Sequence, residues 1–69
     1  MRFGEVLQLY MDELDIDVKE LSERIGCQRS AIYALLSGYA KDPTLRRAKE
    51  IADALGISLQ ELSDRMDEQ

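Results

Sequence analysis

Apolar residues recur at spacings of three and four along most of the chain, and the breaks between them carry helix stop and start signals. Phe3, Val6, Leu7, Tyr10, Met11 and Leu14 predict an amphipathic helix over about residues 3–14. Asp15-Ile16-Asp17 interrupts it. Asp17 reads as an N-cap, with Glu20 closing a capping box and Ile16 and Leu21 forming a hydrophobic staple. A second helix over about 18–25 then buries Val18, Leu21 and Ile25 and stops at Gly26. A third, over about 29–37, turns Ile32, Leu35 and Leu36 inward and places Ser30, Tyr33, Ala34 and Ser37 on the opposite side. Gly38 ends it and residues 38–42 form a loop. Asp42-Pro43 opens a fourth helix, with proline in its first position and a core face of Leu45, Ala48, Ile51, Ala52 and Leu55. Gly56 stops that helix. Ser58 with Glu61 is a second capping box, Ile57 with Leu62 a second staple, and a fifth helix over about 59–66 presents Leu59, Leu62 and Met66. Residues 67–69 are expected to fray.

No strand pattern, repeat, linker or low-complexity tract is visible. The fold class is all-α, a compact five-helix bundle, and the 69 residues are read as a single domain, 1–69. A chain of this length buries a small core. No apolar stretch approaches the roughly 20 residues a membrane span needs. Glu5, Asp12 and Glu13 stand where the apolar centre of a signal peptide would lie, so none is expected. A lone cysteine, Cys27, excludes an intrachain disulfide, and it is expected in the core. With no histidine and no glycine-rich phosphate loop, the usual zinc sites and imidazole-based triads are absent, and neither an enzyme nor a cofactor is expected.

Charge changes the picture. The chain carries 9 bases and 14 acids, a net of −5, which by itself argues against a polyanionic partner. The distribution is uneven. Residues 24–49 hold six bases against one acid, a net of +5, whereas the remainder holds three bases and thirteen acids, a net of −10. That pattern suggests one basic face on an acidic body. The basic segment overlaps Asp17 to Gly38, where two short helices flank a turn centred on Gly26. Helices joined so closely cross steeply, which holds the second away from the body and frees its outer face for a groove such as the DNA major groove, about 12 Å wide.

The run from Leu21 to Gly38, LSERIGCQRSAIYALLSG, resembles the helix-turn-helix of the Cro/CI (Xre) family, the lambda repressor-like DNA-binding domains. Its last five residues, Ala34-Leu35-Leu36-Ser37-Gly38, are especially similar. The downstream block from Ile51 to Leu62, IADALGISLQEL, is similar to the family's fourth and fifth helices. Together the resemblance covers about residues 5–63, with the helix-turn-helix at about 17–38 and helices 4 and 5 at about 43–66. It implies a transcriptional regulator of Cro or repressor type, phage-encoded or bacterial. Such a protein works in the cytoplasm at the nucleoid and inserts helix 3 into the major groove of a double-stranded operator, as a homodimer at least on DNA. The resemblance points to Gln28, Arg29, Ser30, Tyr33, Ala34 and Ser37 as contacts to bases and phosphates. Gln28 has the chemistry for adenine, Arg29 for guanine, and Ala34 is small enough to meet a thymine methyl. Lys19, Lys41 and Arg46 are placed for phosphates. Three departures stand out: Val18 where the family often has glutamine, Gln28, a weak cap, where it commonly has serine or threonine, and Leu36 where many members carry glutamate.

Each position also has a plainer reading. Tyr33 could be a surface aromatic, and Tyr39 is expected to pack over its loop. Arg46 and Arg47 could simply be solvated. Leu59 and Met66 either complete the core or form a dimer seam. The alternative function is a protein-interaction modulator or antirepressor that uses the acidic surface to bind another repressor protein.

Overall fold

The computed structural model describes residues 2–40 and 42–67. Five helices follow one another: α1 (Phe3–Leu14), α2 (Val18–Ile25), α3 (Arg29–Ser37), α4 (Leu45–Leu55) and α5 (Leu59–Asp67). No strand occurs among the described residues. The all-α arrangement expected from the residue pattern holds among the described residues, and the helix boundaries of α1, α2 and α3 coincide with those the spacing predicts.

The caps explain the boundaries. The Asp17 carboxylate accepts the Glu20 N–H at 2.7 Å, and the Ser58 hydroxyl accepts the Glu61 N–H at 3.0 Å. Gly26, Gly38 and Gly56 each end a helix in the left-handed region, which costs an L-residue about 1–2 kcal/mol and glycine almost nothing. Asp15 takes the same conformation after α1, at φ 56°. The fourth helix starts later than expected. Pro43 is not its first residue: Thr44 is the N-cap, and its hydroxyl accepts the Arg47 N–H at 3.2 Å. A threonine can cap where proline can only fix φ, so the first turn closes at Thr44.

One core joins all five helices. Phe3, Val6 and Leu7 of α1, Leu21 of α2, Ile32 of α3, Ile51 of α4 and Leu62 of α5 are its most buried side chains. α1 packs on α3, α4 and α5, and α2 packs on α3 and α4. Ile16, the residue before the α2 cap, is buried beside Leu21 as a staple requires. Several apolar positions depart from the periodicity, Leu36 and Ala48 by being only partly buried. Leu14 is exposed at the last turn of α1. Leu45 is 74% exposed rather than in the core, because as the first residue of α4 it stands at the mouth of the groove between α4 and α5. Val18 and Ile25, at the two ends of α2, are only partly buried against the core.

Two contacts tie the frame behind α3. Arg65 of α5 lies 5.0 Å over the Tyr10 ring and donates to the Glu13 carboxylate at 2.6 Å. The bond to Glu13, then Tyr10, holds its guanidinium still further toward the charged form than usual. Gly4 of α1 meets the C-terminal carbonyls of α3, and a Cβ there would collide with the Leu35 carbonyl oxygen.

Candidate nucleic-acid interface

The turn between α2 and α3 is short because two backbone bonds close it. Gly26 N–H and Cys27 N–H both donate to the Ser22 carbonyl, at 2.8 and 3.0 Å. Ser22 is itself buried, with its hydroxyl donating to the Lys19 carbonyl at 2.9 Å. Cys27 is only partly buried, packed against the core rather than within it. α3 then runs back across the molecule with Ile32 and Leu35 buried against α1 and α2. It is therefore not held off the body, as the short connection suggests. Its inner half belongs to the core and only its outer half is free.

That outer half carries the expected residues. Gln28, Arg29, Ser30, Tyr33 and Ser37 are exposed, and Ala34 is partly so. At 100° per residue, Ser30 and Ser37 lie at the centre of the exposed face, flanked by Tyr33 on one side and Ala34 on the other. Lys19, exposed in the first turn of α2, lines the same groove as Arg29 and Tyr33. Asp12 and Asp17 line it too, so the groove balances its charges locally rather than forming a dense basic stripe.

The start of α3 is open. Gln28 sits at the N-cap with no side-chain cap bond, and no acid stands in the first turn. Its amide oxygen instead accepts weakly from the Ser30 hydroxyl, at 3.5 Å. Ala31 N–H turns back to the Gln28 carbonyl at 3.1 Å, and no described side chain caps the first turn, the arrangement in which a helix end attracts anions.

The other cations divide into two groups. Arg24 donates to the Ala54 carbonyl at 3.0 Å and sits 3.6 Å from Glu20, which turns it toward α4. Arg47 pairs with Glu50 at 3.6 Å. By contrast Lys19, Arg29 and Arg46 make no ion pair among the described residues. Arg46 is exposed on the first turn of α4, a helix that makes its contacts with α1, α2 and α5, not with α3. The structure therefore groups Lys19 with Arg29 and leaves Arg46 apart. Lys41 lies outside the described residues.

Sequence reasoning misplaces one aromatic. Tyr39 does not pack over the loop: it is 91% exposed beside Tyr33, which is 57% exposed. Its neighbour Gly38 turns the chain outward through a positive φ, a signal readable from the glycine but without direction. Leu59 and Met66 are partly buried against the core and, with Pro43, Leu45 and Ala48, line an apolar groove between the start of α4 and the length of α5. Among the described residues there is no cluster of potential metal ligands and no helix long and apolar enough to cross a membrane.

Comparison with known proteins agrees with this geometry. A family model described as "Helix-turn-helix" matches residues 7–62, which takes in most of α1, then α2, the Gly26 turn, α3 and α4, and the first four residues of α5. No curated protein matches the chain. With a match over most of its length and the second helix of the motif exposed, the chain belongs to the Cro/CI-type (Xre) helix-turn-helix family of DNA-binding regulators.

Proposed function

We propose that the 69 residues act as one sequence-specific operator-binding unit, a repressor of Cro type that occupies promoter DNA through α3. The observation that carries this reading is Arg29 on the uncapped first turn of α3, in one groove with Lys19, neither of them ion-paired among the described residues. Arg29 reads guanine through a bidentate contact, Gln28 pairs with adenine, and Ser30 and Tyr33 reach the adjacent edges or phosphates. Lys19, Lys41 and Arg46 hold the phosphate backbone on either side and carry no sequence information. Two copies bind half-sites about 34 Å apart on one face of the duplex. The apolar groove beside Leu59 and Met66, extended by exposed Leu45, supports the α4–α5 side as the seam between them.

The test is an anisotropy titration with duplexes enriched from a genome-fragment selection. Affinity for the enriched duplex falls steeply between about 50 and 200 mM salt. Arg29→Ala weakens specific binding by about 1–3 kcal/mol and relaxes preference at one base pair. Unchanged affinity and preference in that variant remove Arg29 from the reading. An antirepressor would instead show no retention on DNA at low salt and would co-elute with a basic repressor.

A further inference from the structure

The end of α4 is completed by another helix. Its last turn carries no basic residue, and the N–H groups of Gly56 and Ile57 take up the Asp53 and Ala52 carbonyls. The Ala54 carbonyl accepts instead from Arg24, whose Nη1 reaches across from α2 at 3.0 Å. Its Nη2 lies 3.6 Å from the Glu20 carboxylate, one turn earlier on α2. Two nitrogens of one planar fork thus serve two fixed partners. They aim the guanidinium at the C-terminal end of α4, the end that favours a cation. This is the one side-chain hydrogen bond between α2 and α4 among the described residues. The remaining packing of the two helices belongs to the apolar core. Apolar contact is non-directional and favours burial rather than one tilt, so the directional link between them is Arg24.

α3 is anchored at both ends. Its far end meets α1, where Gly4 sits against the Leu35 and Leu36 carbonyls. Its near end follows α2 through the Gly26 turn, and Arg24 stands two residues before that glycine. Among the described residues α3 packs on α1 and α2 and not on α4 or α5. Resting on the operator-binding reading and its α4–α5 seam, we propose that Arg24 is a positioning residue that fixes the near end of α3 relative to α4, and with it the separation of the two recognition helices on an operator. α3 is nine residues long, roughly 13 Å. A swing of about 10° around its Gly4 end moves Gln28 by roughly 2 Å, more than half the rise of about 3.4 Å per base pair. Arg24 touches no DNA in this arrangement. It acts through the placement of Gln28 and Arg29.

The experiment uses the full chain and a duplex enriched from a random library, together with copies whose half-site spacing is one base pair longer or shorter. The parent chain prefers its own spacing by about tenfold or more. Arg24→Met keeps the stem and removes the guanidinium. It weakens binding at the enriched spacing about tenfold and narrows the preference among spacings to about twofold, because Gln28 and Arg29 lose register with their base edges. Glu20→Gln, which loosens the brace and keeps the bond, narrows the preference less. Thermal melting and the salt slope are measured on the same samples. A lower melting temperature in Arg24→Met with the spacing preference intact makes Arg24 merely structural and overturns the proposal. A salt slope shallower by about 0.9 with the preference intact makes it a phosphate contact and also overturns it. Should Arg24→Met not fold, an unchanged preference in both Arg24→Lys and Glu20→Gln overturns it. A parent chain indifferent to spacing overturns the proposal while leaving operator binding intact. A selection that enriches no sequence overturns both.

Discussion

Ile25-Gly26-Cys27-Gln28 and Leu55-Gly56-Ile57-Ser58 make the same turn between helices, yet the helices they lead into begin differently. In both, a left-handed glycine follows the last helical residue, and the next N–H closes back on the helix: Cys27 to Ser22 and Ile57 to Ala52, both at 3.0 Å. α5 then starts with a serine cap and an acid in its first turn. α3 starts with an uncapped glutamine and an arginine. A cap is worth about 1 kcal/mol, and an acid in the first turn adds about 0.3–1 kcal/mol through the helix dipole. α3 forgoes both and adds a cation at the wrong end. The same turn therefore serves stability in one place and leaves a helix end open to an anionic partner in the other. Sites that break local rules in this way are where function is expected.

The largest effects should fall on what the two helix pairs share. Ile32 and Ile51 are both fully buried, and truncating either to alanine costs about 2–5 kcal/mol in urea unfolding. If Ile32→Ala were much milder than Ile51→Ala, α3 would not be anchored as deeply as the fold indicates. At the far end of α3, Gly4→Ala forces the α3 carbonyls away from α1. A net loss of roughly 1–2 kcal/mol is expected, after any gain in helix propensity, because the clash is with backbone.

Next come the caps, which test the contrast itself. Ser58→Ala should cost about 1 kcal/mol of stability and leave DNA affinity alone. Gln28→Asp should raise stability by about 0.5–1 kcal/mol and sharply weaken DNA binding, because it caps the helix end but sets a carboxylate against the phosphates. Thermal melting and anisotropy on the same samples separate the two. A Gln28→Asp variant that binds DNA as well as the parent chain would show that the open helix end has no role. The smallest effect concerns the salt slope. With Lys19, Lys41 and Arg46 as the phosphate contacts, the slope of log K against log salt per protomer is about −3, and Lys19→Ala makes it shallower by about 0.9.

Much of this was legible in the residue order because the signals are local. Asp17, Ser58 and the three helix-ending glycines act on their own neighbours, so the limits of α1, α2 and α3 follow from spacing and capping alone. Periodicity fails at helix ends, where Leu14 and Leu45 look like core and are not. The segment from Arg24 to Lys49 overstates the basic face for a related reason. Charge summed along the chain does not reveal that Arg24 is turned to the Ala54 carbonyl and Arg47 to Glu50, nor that Asp12 and Asp17 share the groove of Lys19 and Arg29. The outward Tyr39 and the close approach at Gly4 depend on which elements meet, and no local pattern carries that.

Amide chemical-shift mapping during titration of the enriched duplex into the isotope-labelled chain tests most directly whether DNA meets the open end and outer face of α3. Perturbations are expected at Gln28, Arg29, Ser30, Tyr33, Ala34 and Lys19, with the outer faces of α1 and α5 silent. Shifts concentrated on Glu13, Asp64 and the rest of the acidic surface, with α3 unmoved, would contradict it.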